Sequence, residues 1–162
     1  MKVLLPFLLG LSLAGCAGYS GRGLVPGQAS AEEVEALMGP SADRRQGAGG
    51  ESVRYYSRLP YGKEIYAARF APNGKLIAIE QRLTEKNLAR LRLGSSRADD
   101  VRDVLGPPYR IDAFPRLERN IWTYPAHGLT IPKLIIVQLS NDDVVREVYM
   151  MDDPEALERT YE

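Results

Sequence analysis

The chain has 162 residues, 44% of them hydrophobic and 26% charged, a composition that builds a packed core and excludes a chain disordered throughout. Lysine plus arginine equal aspartate plus glutamate at 21 each, with a sequence pI of about 6.6, so there is no basic excess to grip nucleic-acid phosphates. A lone cysteine, Cys16, excludes an intramolecular disulfide and leaves stability to packing.

The first 15 residues run from Lys2 through the apolar stretch Val3 to Leu9, broken by Pro6 and Gly10, to small residues before Cys16. This describes a cleaved signal peptide at 1–15 rather than a spanning helix, which needs about 20 mostly apolar residues. Leu13-Ala14-Gly15-Cys16 resembles the lipobox of bacterial lipoprotein precursors. The resemblance implies that Cys16 becomes the acylated first residue of the mature protein, bound to outer-membrane lipid. Ala17, where an aspartate would retain the protein at the inner membrane, implies sorting to the outer membrane. Residues 16–26, rich in glycine, are expected to form the lipidated cysteine and a flexible tether.

From Ser30 to Met38 the sequence offers a capping box, Ser30 with Glu33, and an apolar helix face of Val34, Leu37 and Met38, stopped by Gly39-Pro40. Ser41 to Gly50 lacks periodicity and reads as a loop. Strands are predicted at 53–58, 65–70 and 76–81, the last two joined by the turn Pro72-Asn73-Gly74-Lys75. A helix over 84–92, with Thr84 as cap, leads to a second helix over 96–105 that stops at Gly106-Pro107-Pro108. Strands follow near 119–124, 133–139 and 144–150, with a short helix after Pro154.

Gly27, Glu33, Val34, Leu37, Met38, Gly39 and Pro40 recur as Gly94, Asp100, Val101, Val104, Leu105, Gly106 and Pro107, displaced by about 67 positions. This reads as an internal duplication, with a first unit at 27–83 and a second at 84–162. Helix before a run of strands argues for α+β with antiparallel sheets. Each unit alone is too small to bury a good core, so the units are expected to pack together. Val101, Val104 and Leu105 are predicted to lie on the sheet with Trp122 as the largest neighbour.

The run Leu83 to Gly94, then Asp100-Val101, Leu105-Gly106-Pro107-Pro108 and Trp122-Thr123-Tyr124, resembles the BamE family of outer-membrane lipoproteins, also called SmpA/OmlA. Leu134 to Leu139 and Val144 to Val148 match its later strands, with Asn141-Asp142-Asp143 in place of a turn glycine. Phe70 to Leu76 matches the same feature in the first copy. The resemblance implies tandem BamE-like units, each one or two short helices packed on a three-stranded antiparallel sheet. The architecture it implies is also similar to that of the β-lactamase inhibitor protein, whose paired repeats present a concave sheet to an enzyme.

Chemistry has little to stand on. His127, the sole histidine, sits in the turn-like Pro125-Ala126-His127-Gly128 with no nucleophile in its sequence context. The pairs Glu32-Glu33 and Asp99-Asp100 complement helix N-termini, and no segment has the spacing of a calcium loop. No catalytic residue, metal or cofactor is therefore expected. Tyr55, Tyr56, Arg58, Tyr61 and Tyr66 are the leading candidates for a partner surface, with Tyr109 and Phe114 in a loop of the second unit, because tyrosine and arginine combine apolar area with polar reach. The expected function is that of a non-catalytic protein-binding lipoprotein on the periplasmic face of the outer membrane. Its partner would be another envelope protein, with the β-barrel assembly machinery implied by the resemblance. The alternative is a periplasmic inhibitor or ligand-binding module.

Overall fold

The computed structural model describes residues 19–128 and 130–158. The signal peptide read at 1–15 and Cys16 lie outside the described residues. Helix α1 (Ala31–Met38) starts where the sequence places a capping box: Glu33 N–H donates to Ser30 Oγ at 3.2 Å, and Ser30 N–H donates to the Glu33 carboxylate at 2.7 Å. It ends at Gly39, whose φ of +83° no side-chain-bearing residue adopts without strain. Four strands follow, β1 (Asp43–Gln46), β2 (Ser52–Ser57), β3 (Ile65–Phe70) and β4 (Leu76–Gln81), each antiparallel to the one before it.

A one-turn helix α2 (Glu85–Leu88), capped by Thr84, leads into α3 (Ala98–Leu105), which ends at Gly106. The helix predicted over 84–92 is thus shorter than its periodicity suggests. Beyond Leu88 the chain closes with short turn bonds, including Leu91 N–H to Leu88 C=O at 3.0 Å. A second four-stranded meander, β5 (Arg110–Phe114), β6 (Arg119–Ala126), β7 (Lys133–Ser140) and β8 (Val145–Asp152), precedes α4 (Pro154–Glu158).

The expectation of three-stranded BamE-like units is therefore wrong. Each sheet has a fourth strand in a stretch that reads as loop: β1 lies within 41–50, and β5 holds Phe114 and follows Tyr109. Both are edge strands, and the composition of β1 hides it. Asp-Arg-Arg-Gln carries no apolar alternation because one side faces solvent and its arginines go to ion pairs.

Strand alternation gives each sheet two faces, and the chain uses them to build four layers. Tyr56, Ala68, Phe70 and Leu76 turn towards α1 and pack with Val34 and Met38. Tyr55, Ile65 and Ala67, on the opposite face of the first sheet, pack with Val101, Val104 and Leu105 of α3 and with Trp122, Tyr124, Ile135, Val137 and Leu139 of the second sheet. Helix α3 thus lies between the sheets. One core spans the boundary drawn at 83/84, so the stretches 27–83 and 84–162 share their packing.

Polar contacts fix the same arrangement. Arg45 on β1 pairs with Asp99 at 2.9 Å and Asp103 at 3.2 Å on α3, while Arg54 and Arg44 hold Glu35 of α1. Tyr124 donates its buried hydroxyl to Gly106 C=O at 3.1 Å. A Cβ on Gly106 would lie 2.7 Å from Ile65 Cγ2 and 3.1 Å from the Tyr55 ring, so the helix terminator is also a point of close packing between the two halves of the chain.

The segment read as a tether is part of the fold from Tyr19 onward. Tyr19 donates its hydroxyl to Ser57 C=O at 3.1 Å and Leu24 packs beside α1. A Cβ on Gly21 would sit 2.3 Å from Ile79 Cδ1. At that position glycine serves close packing rather than flexibility.

Gly39→Ala meets open space, so its cost is backbone strain alone, about 1–3 kcal/mol. Gly106→Ala adds a core clash worth a further ~1–3 kcal/mol. Urea unfolding of the two variants should therefore rank Gly106→Ala as the more damaging, and equal losses would contradict the packing described.

Burial holds the Tyr124 phenol above its ordinary range, as it does those of Tyr55 and Tyr56. The folded state keeps these protons to higher pH than the unfolded chain, in which a phenol ionises near about pH 10. Stability should thus be intact below that pH and fall as pH rises above it. Tyr124→Phe should cost about 1 kcal/mol at neutral pH and make the alkaline decline shallower, as read from urea melts between roughly pH 8 and pH 11.

Candidate interaction surface

The second sheet has one face on α3 and one turned away from it. Register assigns Ile121 and Thr123 of β6, Leu134, Ile136 and Gln138 of β7, Glu147, Tyr149 and Met151 of β8, and Phe114 of β5 to the outer face. Two-faced strands of this kind arise from the run Leu134-Ile135-Ile136-Val137. Its odd members enter the core, and its even members make the outer face apolar as well. An antiparallel sheet with one solvated side ordinarily alternates apolar and polar residues; here Arg110, Asp112, Arg119, Gln138 and Glu147 share the outer face with these apolar side chains, and the alternation lapses in β7 at Leu134 to Val137.

Thr123 and Ile136 lie at the centre of that face with 4% and 6% of their surface exposed, and Ile136 belongs to neither packed cluster. On the same face Phe114, at one end, and Tyr149 and Met151, towards the other, remain 43%, 41% and 39% exposed. On this face Arg110 pairs with Asp112 at 2.7 Å, Gln138 donates to Glu147 at 3.1 Å, and Arg119 donates to the Glu118 carbonyl at 3.1 Å.

The residues singled out from sequence fall into three places. Tyr55 and Tyr56 are 1% and 0% exposed and belong to the two cores, so neither can meet a partner. Alternation in β2 sends these neighbours to opposite faces, and both faces of the first sheet are covered. Arg58, Tyr61 and Tyr66 gather instead at the β2–β3 end. Arg58 lies 3.9 Å over the Tyr19 ring, Tyr66 meets Tyr19 edge-on at 6.4 Å between centroids, and Tyr61 is 94% exposed. Burial raises the Tyr19 phenol against the opposing pull of Arg58. Tyr109, 50% exposed, precedes β5 and Phe114 ends it.

The motif residues build the fold. Val34 and Val101 are fully buried, and Trp122 and Tyr124 are core residues, with Arg102 stacked 5.0 Å over the indole. Gly39-Pro40 and Gly106-Pro107 terminate α1 and α3. Gly27 N–H bonds Leu76 C=O at 2.7 Å and Gly94 N–H bonds Val145 C=O at 2.8 Å, so each seals the start of an edge strand. His127 Nε2 stands 3.9 Å from Glu64, beyond hydrogen-bond reach. Among the described residues, no three His, Cys, Asp or Glu side chains are grouped to hold a metal.

Sequence reasoning missed Ile121, Leu134, Ile136, Tyr149 and Met151. The signal was present in the unbroken aliphatic run of β7, which no one-faced strand requires.

No protein-family model matches the chain, and no curated protein matches it. The crystal structure of YjgB, a DUF4309-family protein from Bacillus subtilis, aligns over 82% of this chain and 84% of that one, with 16% identity and a TM-score of 0.33. A likeness that slight carries no argument about fold or activity. The BamE (SmpA/OmlA) resemblance and the tandem BamE-like repeat it implied are therefore set aside, as is the likeness to the β-lactamase inhibitor protein. No family model supports them, and the sheets have four strands. The Gly-Pro terminators and the Trp122–Tyr124 strand that suggested the family have local packing reasons of their own.

Proposed function

We propose that this chain is a lipid-anchored, non-catalytic docking module. Cys16, acylated after cleavage of the leader, holds it to the outer membrane, the folded part faces the periplasm, and the outer face of the second sheet binds an amphipathic helix of another envelope protein. The observation that supports this reading is that Phe114, Tyr149 and Met151 stand 43%, 41% and 39% exposed on the outer face of the second sheet, around the buried Thr123 and Ile136. The first sheet shows what such a face accepts in this molecule. Its own second face is covered by α3, an amphipathic helix that brings Val101, Val104 and Leu105 to the core. Arg110 and Asp112 neutralise one another, so the exposed side chains of Phe114, Tyr149 and Met151 carry recognition beside the charges of Arg119 and Glu147.

The anchor rests on the sequence of the leader, Lys2 with an apolar stretch and Leu13-Ala14-Gly15-Cys16. Among the described residues, no helix is long and apolar enough to cross a membrane. Acyl chains contribute about 0.8 kcal/mol per buried methylene, so more than one chain makes attachment durable. Barrel-assembly partners were suggested by the BamE resemblance and lose that support, whereas an envelope protein partner does not depend on it.

A photo-crosslinker at Met151 in intact membranes should trap one discrete envelope protein, and the same group at Ala36, on the outer side of α1, should trap none. Tyr149→Lys should remove the Met151 adduct while changing stability by less than about 0.5 kcal/mol. Equal trapping at both sites, or a soluble enzyme as the trapped species, would overturn the reading. Cys16→Ala should abolish acyl labelling and release a folded protein from the membrane fraction, and persistent labelling would refute the anchor.

A further inference from the structure

The two hairpin tips that follow β2 and β6 lie at the same end of the molecule, with Glu64 of one 3.9 Å from His127 of the other. Tyr19 packs at this end too, its hydroxyl on Ser57 at the close of β2 and its ring under Arg58. Only three peptide steps separate Tyr19 from Cys16, a reach of at most ~11 Å. An acyl group on Cys16 cannot lie far from the β2–β3 tip. At that tip Tyr61 projects with 94% of its surface exposed, in a loop closed by Gly62 N–H to Arg58 C=O at 2.8 Å and flanked by Lys63.

We infer that this end of the molecule rests on the bilayer that holds the anchor, with Tyr61 set among the lipid headgroups and Lys63 against anionic phosphates. The inference deepens the proposed anchoring and rests on acylation of Cys16. A fully exposed tyrosine has no folding role to explain it. Its apolar ring and polar tip suit the membrane–water boundary, where one side of the residue is dry and the other wet. A lysine beside it adds attraction to an anionic surface. The opposite end, with the turn Pro115–Leu117 between β5 and β6, then stands roughly 27 Å away along the eight-residue strand β6. Orientation follows: the strands run across the space between membrane and periplasm, and the outer face of the second sheet is presented sideways.

The test uses the acylated full-length protein in vesicles of phosphatidylethanolamine and phosphatidylglycerol, with and without brominated acyl chains. Tyr61→Trp should show several-fold stronger quenching by brominated lipid than the wild type, whose buried Trp122 sets the background. Leu117→Trp, exposed at the far end, should add none. Adding Lys63→Glu should weaken the Tyr61→Trp quenching in anionic vesicles and leave it unchanged in zwitterionic ones. Absence of quenching at position 61 in vesicles that carry the acyl label and float with lipid would overturn this orientation while leaving the anchor intact. Quenching at 117 as strong as at 61 would do the same. Loss of the acyl label or of flotation would instead remove the anchor itself, and the orientation with it.

Discussion

The close approach of Gly106 to Ile65 and Tyr55 is the contact on which the rest of this molecule depends. The missing side chain lets the end of α3 press against the first sheet, while the same residue's carbonyl accepts the Tyr124 hydroxyl from the second. A single terminator thus meets both sheets. Because each sheet is buried on the side facing α3, the order of layers is fixed as helix, sheet, helix, sheet. That order leaves Phe114, Tyr149 and Met151 exposed on the outer face of the last sheet. The pairing of Arg45 with Asp99 and Asp103 adds direction to that contact, although exposed carboxylates make such pairs worth at most about 1 kcal/mol.

Local chemistry made much of this readable in advance. The capping box of Ser30 and Glu33, the glycine stops after Met38 and Leu105, and β3 and β4 stand where their residues place them. What failed to show were β1 and β5: Asp-Arg-Arg-Gln has no apolar period to detect, while β5 alternates over only five residues and lies exposed at the sheet edge. The tyrosines at 55 and 56 misled for a related reason. Sequence reveals that adjacent strand residues diverge to opposite faces, but not that both faces are covered. In the second sheet the aliphatic run of β7 sends Ile135 and Val137 to the core and Leu134 and Ile136 to the outer face, where Ile136 is nonetheless buried.

The BamE resemblance has a similar physical origin. A short helix closed by Gly-Pro, followed by a strand carrying a large aromatic, is a local solution to packing a helix on an antiparallel sheet, and it can arise without common descent. Trp122 and Tyr124 contact α3 because they alternate correctly on β6, and Gly106 is glycine because Ile65 occupies the space of its side chain. Such residues inform on how the helix is seated. They are silent about a partner, and the surface that speaks to one lies on the other side of the same strands.

Every strand in either sheet pairs only with its neighbours in sequence, so both meanders can form by zipping short hairpins. The shared core, in contrast, requires them to meet across α3. The linker between Leu83 and Gly94 therefore joins two halves that are each easy to start and impossible to finish alone. Severing it would bare, on each fragment, the apolar face that now packs on the other, so the cut costs solubility before it costs local structure.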